Sequence, residues 1–218
     1  MYVIGSLAHG GFSPAVSDVD VALLVDRCDA SVPATVAAVV TAVRSELGPG
    51  LADRLSIFSG DWGSFATPPP SARMGPIDRL DLIEHGLLVD GVDRRAADGI
   101  RPTRDELLAE TAAYLARLPT GPRDLDELIA AGPRELTRTV LYPVRFLYTH
   151  ATGRAGANQD AVAWYREHGG PHAALAQAAL AWRSGHVESG PARRLLEQHL
   201  DALYGECAAA FAATGPRG

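Results

Sequence analysis

Apolar residues occur in short blocks over the first hundred positions and in helical stripes over the rest. The first block, Tyr2–Ile4, predicts a short strand that stops at Gly5. The second, Val19–Val25, is interrupted only by Asp20 and reads as a strand covered on both faces. Positions 31–47 predict a helix. Pro33 falls in its first turn, where a missing N–H is harmless, and Gly48, Pro49 and Gly50 end the run. Positions 51–58 predict a third strand. The segment 60–76, with Gly63 and the run Pro68, Pro69 and Pro70, has no period and reads as a loop. Residues 77–84 fit a strand or a helical turn, and 87–89 predict a short strand ending ahead of Gly91.

The pattern changes near Ile100. Thr103 as N-cap with Glu106 three residues later matches a capping box, and it opens a helix after Pro102. Helices are predicted at 103–117, 125–131, 134–151, 159–167, 173–184 and 190–213, separated by turns containing Gly or Pro. No repeat or low-complexity linker intervenes. The expected fold class is α+β: a small mixed-sheet domain over 1–101, followed by an all-helical domain over 102–218.

Candidate chemistry concentrates in the first two strands. Asp18 and Asp20 lie one residue apart at the head of the second strand, so they share a face while Val19 and Val21 point to the other. Two carboxylates on one face repel unless a cation lies between them. Mg²⁺ suits such a pair, because it takes one or two carboxylates and completes its shell with water and substrate phosphates. The Gly5-Ser6 turn lets backbone approach a phosphate and supplies N–H and hydroxyl donors. Together these residues predict a metal-dependent site for a nucleoside triphosphate.

The order of these residues also resembles a known signature. An apolar residue, Gly-Ser, a spacer of about a dozen residues and then Asp-apolar-Asp-apolar is the mark of the polymerase-β-like nucleotidyltransferase superfamily; here it reads Ile4-Gly5-Ser6 and Asp18-Val19-Asp20-Val21. More loosely, the chain resembles the aminoglycoside adenylyltransferases that modify streptomycin and spectinomycin. That likeness lies in the two-domain plan, in the region of Gly91, and in the stretch from Arg145-Phe146-Leu147-Tyr148-Thr149 through Thr152-Gly153 to Trp164. The resemblance implies a catalytic domain holding Mg²⁺ and a nucleoside triphosphate, in the first place ATP, with Asp18 and Asp20 as catalytic metal ligands and Gly5 and Ser6 at the nucleotide. It implies a small-molecule acceptor bound by the helical domain in a cleft between domains, and a role in antibiotic resistance or natural-product tailoring.

The same resemblance calls for a third carboxylate on a neighbouring strand. Asp53, opening the third predicted strand, is the best candidate, either as catalytic base or as a strand-capping residue paired with Arg54. Asp26 and Asp61 are weaker, since each falls in a loop after its strand. Two other functions stay open: a protein-modifying nucleotidyltransferase of the antitoxin kind, and an inactive nucleotide-binding module. The fused helical half favours the small-molecule enzyme over the first, and the intact Asp18/Asp20 pair argues against the second.

Composition narrows the partners. The chain has 218 residues, 47% of them hydrophobic, a net charge of −6 and no lysine, all 20 basic residues being arginine. This leaves ample apolar material for a core and no polyanion-binding excess, so a nucleic-acid partner is not expected. No apolar run is long enough to span a bilayer, and no signal peptide is expected ahead of the first strand. Cys28 and Cys207 fit no metal spacing, and a reduced, cytoplasmic setting is expected.

Several single residues carry bland readings beside sharper ones. His9 reads as a phosphate contact or an exposed turn residue, Arg54 and Arg73 as triphosphate ligands or surface ion pairs. Trp164 and Trp182 read as core, whereas Trp62, in an irregular segment, is the expected ligand contact. Arg145 and His150 match the Arg-x4-His spacing of helical ribonuclease toxins, which chance explains in an Arg-rich chain. Acidic residues of the helical half (Asp105, Glu106, Glu110, Asp124, Asp126 and Glu127) suit a cationic acceptor or a solvated helix face.

Overall fold

The computed structural model describes residues 1–65, 72–117 and 123–213; the run Pro68, Pro69 and Pro70 lies outside them. The chain is mixed α+β and divides into two compact units, Met1–Phe12 with Ser17–Thr103, and Ser13–Val16 with Arg104–Gly218.

In the first unit four strands form one mixed sheet in the order β3-β2-β1-β4: β1 (Tyr2–Ile4), β2 (Val19–Val25), β3 (Leu55–Asp61) and β4 (Leu87–Leu88). Its helices are α1 (Gly5–Ala8), α2 (Val32–Glu46), α3 (Pro49–Ala52), α4 (Pro76–His85) and α5 (Arg95–Asp98). β1 is antiparallel to both β2 and β4. β2 and β3 are parallel, and α2 with α3 supplies the long crossover that parallel neighbours need.

Register decides which side chains share a face. Tyr2 pairs with Ala22 and Ile4 with Asp20, while Ala22 also pairs with Phe58 and Asp20 with Ser56. Tyr2, Ile4 and Ala22 are buried, and they form one core with Trp62, Phe65, Met74 and Leu82 of α4. The alternate residues Val19, Val21, Leu23 and Val25 are half-buried. Asp20 therefore stands at the end of the core-facing row.

Two predicted elements differ in this unit. Residues 51–58 do not form one strand: Pro49–Ala52 makes a helical turn and β3 runs from Leu55 to Asp61. The polar tail Ser59-Gly60-Asp61 resembles a turn in sequence, yet it is buried and stays in register with Leu23, Leu24 and Val25. The Asp61 carboxylate is satisfied there by the Cys28 N–H at 3.0 Å. Residues 77–84, which fitted strand or helix, lie in α4. Pro76 occupies its first turn, and the Asp78 side chain accepts the Gly75 N–H at 3.3 Å.

Among the described residues the second unit contains only helices: α6 (Arg104–Leu115), α7 (Leu125–Ala130), α8 (Pro133–Thr152), α9 (Asn158–Glu167), α10 (Ala173–Trp182) and α11 (Ser189–Ala212). α8 is central and packs on α6, α7, α9, α10 and α11. Its buried face carries Leu136, Val140, Leu141, Val144 and Leu147, the spacing of an amphipathic helix. α8 starts with Pro133 in its first turn and ends at Gly153, whose φ of 66° suits a left-handed C-cap. No helix among the described residues is long and apolar enough to cross a membrane.

Candidate functional site

The geometry centres on Gly5, where β1 turns into α1. Gly5 has φ of 68°, a conformation that L side chains rarely adopt. Since Ile4 pairs with Asp20, the backbone of Gly5 runs against the Asp20 side chain, and a Cβ at Gly5 would overlap Asp20 Oδ2. Its N–H donates to Asp81 Oδ2 at 2.6 Å, a charge-assisted bond from the end of β1 to α4. The turn closes with His9 N–H to Gly5 O at 3.1 Å and Gly11 N–H to Ser6 O at 2.9 Å. Ser6 is half-buried. With the Gly5 amide engaged by Asp81, Ser6 is the residue of the Gly-Ser pair that offers a hydroxyl.

Asp20 and Asp18 are both half-buried, and Asp18 lies one residue ahead of β2. The entry of the strand is fixed by Val19 N–H to Arg54 O at 2.8 Å. Asp18 and Asp20 supply oxygen ligands of the kind a hard cation takes, and the missing Cβ of Gly5 lets Asp20 Oδ2 come close to the turn.

Asp53 is placed differently from its sequence reading. It lies in the exposed turn before β3, which begins only at Leu55, and Arg54 Nε donates to Gly50 O at 2.7 Å. The β3 residue in register with Asp20 is Ser56, so the neighbouring strand presents a hydroxyl at that level and not a carboxylate.

Among the described residues one group of three metal-ligand side chains has all its donor atoms within 4.8 Å of one another: His9, Asp81 and His85. Asp18, Asp20 and Asp53 do not form such a group. Sequence reasoning considered His9 alone, as a phosphate contact or an exposed residue. Its side chain keeps only 6% exposure and its Nε2 pairs with Asp81 Oδ1. Asp81 and His85 stand four residues apart on α4 and hence on one face. That spacing becomes a signal only once the segment is assigned as helix.

Other candidates resolve into packing. Trp62 is buried, not a ligand contact: it meets Tyr2 edge-on at 6.0 Å between centroids and Phe65 at 5.1 Å. Trp182 is buried, and Trp164 packs half-buried on Tyr148. The Arg73 side chain is exposed. Arg145 Nε donates to Gly156 O at 2.8 Å, which ties α8 to the loop after it. Of the acidic residues in the helical unit, Asp124 caps α7 and Asp126 pairs with Arg193. Burial pushes the Cys207 thiol up to about 12, so neither it nor the buried Cys28 offers an accessible nucleophile.

No protein-family model matches the sequence, and no curated protein matches it. The functional reading therefore rests on the chain's own residues.

Proposed function

We propose that this chain transfers a nucleoside monophosphate from a nucleoside triphosphate, ATP in the first place, to a hydroxyl of a small molecule. One observation carries the reading. Asp20 of β2 packs against Gly5 of the Gly-Ser turn, with Asp18 two residues earlier, so the paired carboxylates and the phosphate-type turn meet at one strand end. The likeness to the polymerase-β-like signature supports the same reading, and aminoglycoside-like or natural-product polyols are its acceptor class.

In this reading Asp18 and Asp20 hold the divalent cation, and Ser6 donates to a terminal phosphate oxygen. The cation, when bound, neutralises charge that develops on the leaving pyrophosphate. The acceptor oxygen attacks the α-phosphorus, the new P–O bond forms as the bond to pyrophosphate breaks, and the hydroxyl proton leaves to solvent or to a nearby carboxylate. The protein contributes positioning and electrostatics, with no covalent intermediate. Asp53, exposed in the turn before β3, is a less favoured candidate for the catalytic base than the sequence reading made it, and Ser56 supplies no replacement carboxylate.

The test is pyrophosphate release with Mg²⁺ and each nucleoside triphosphate across a panel of aminoglycosides and other polyols. Acceptor-dependent release should fall by about 100-fold or more in Asp20→Asn and stay within about threefold in Asp53→Asn. Triphosphate binding without release for any acceptor would sink the small-molecule reading.

A further inference from the structure

His9, Asp81 and His85 converge beside the Gly5 turn, outside the Asp18–Asp20 strand end. His9 follows α1, whereas Asp81 and His85 rise from one face of α4. The His9 and Asp81 side chains keep 6% and 10% exposure and His85 keeps 29%, so the cluster is largely buried and most exposed at His85. The two imidazoles lie edge-on, with centroids 4.7 Å apart.

An ordinary His–Asp ion pair accounts for part of this. His9 Nε2 meets Asp81 Oδ1, and that contact needs no third residue. It does not account for a second imidazole nitrogen within 4.8 Å of both partners. Nor does it account for the orientation of Asp81, whose other oxygen is fixed by the Gly5 N–H at 2.6 Å. A ligand carboxylate oriented by a backbone donor is the outer-shell arrangement found around protein-bound metals.

We propose that His9, Asp81 and His85 bind a divalent transition metal of the Zn²⁺ class, with the Glu84 carboxylate beside them at 3.7 Å from His85 Nε2. Two imidazoles and one carboxylate suit Zn²⁺ or Co²⁺, whereas Mg²⁺ takes oxygen ligands. Bond lengths of about 2.0–2.2 Å to a tetrahedral ion put ligand atoms roughly 3.3–3.6 Å apart. Binding therefore draws the donor atoms in from a present spread of up to 4.8 Å. The direct His9–Asp81 contact opens as the ion enters, and both imidazoles bind in their neutral form. The ion then ties the loop after α1 to α4 and adds positive charge beside the Gly5-Ser6 turn.

The test is titration of the chelator-treated full chain with Co²⁺ and then Zn²⁺, in millimolar Mg²⁺ so that oxygen-only sites are filled. The expected result is one Co²⁺ per chain with the visible absorption of an imidazole-bound, low-coordinate ion, displaced by Zn²⁺. His9→Gln and His85→Gln should each weaken binding by about tenfold or more, while a change at the exposed His186, His186→Gln, leaves it unchanged. Far-UV circular dichroism of the metal-free variants verifies their fold. Absence of stoichiometric Co²⁺ or Zn²⁺ binding by the unaltered chain overturns the proposal without recourse to any variant. So does binding that survives both histidine changes, which would put the ion elsewhere, for example at His172 and His199.

Discussion

Gly5 answers two demands that can be separated by experiment. Its φ of 68° penalises any side chain by roughly 1–2 kcal/mol, and a Cβ there would also strike the Asp20 carboxylate. Gly10 is the control, since its φ is 75° but nothing lies within 4 Å of where a Cβ would stand. Gly10→Ala should cost about 1 kcal/mol in urea unfolding and keep pyrophosphate release. Gly5→Ala should cost about 1–2 kcal/mol more and lose release, because Asp20 must move. Equal effects for the two variants would show that Asp20 does not depend on the Gly5 backbone. A shared site for Gly5-Ser6 and the Asp18/Asp20 pair was legible in sequence as an expectation, and the β1–β2 register adds the contact of Gly5 with Asp20. The meeting of His9 with Asp81 was not legible, since it spans 72 positions and depends on how α4 lies against α1.

Among elements, legibility followed the strength of the local period. α8 through α11 were predicted within two residues of their ends, because each buries a clear apolar stripe. The segment of α4 was ambiguous because Leu80, Leu82 and Ile83 satisfy both a strand and a helical spacing. β3 was misjudged at both ends. A Gly-Pro-Gly run that reads as a stop makes a helical turn with the residues after it, and a polar tail is held in the sheet by pairing with β2 and by the Cys28 amide. The helices of the second unit also rest on unequal supports. Asp124 accepts the N–H groups of Asp126 and Glu127 at 2.9 and 3.0 Å, so Asp124→Ala should lower stability by about 1 kcal/mol. Leu136 is fully buried in α8, and Leu136→Ala should remove about 2–5 kcal/mol. Chemical denaturation of the two variants verifies the order, and a larger loss for Asp124→Ala would contradict the placement of the core along α8.

At the scale of the whole chain, the titrating groups predict how stability responds to acid. Burial holds His172 below the usual imidazole range, and neighbouring His199 adds to this while Glu206 opposes it. His150 is lowered by burial and by Arg104. His172 Nδ1 and His199 Nδ1 lie 3.2 Å apart, so one must donate and the other accept, and a second proton breaks the bond. Both depressed histidines bind protons more readily when unfolded. Their contribution is therefore complete above an unfolded pKa of about 6.5 and is lost as pH falls below it. Asp93 is held well below the carboxylate range by hydrogen bonds from the Arg95 side chain and amide, and Asp29 is held below it by Ser31. Their contribution persists down to about pH 4 and then falls, and both groups are exposed, so this second loss is the smaller. Thermal unfolding followed by circular dichroism should show the midpoint falling first between about pH 7 and 5, then again below about pH 4. His172→Asn should reduce the first stage to the part due to His150 and leave the second. A midpoint that stays level from about pH 7 to 5 in the unaltered chain would mean that the His172–His199 contact contributes nothing to the fold.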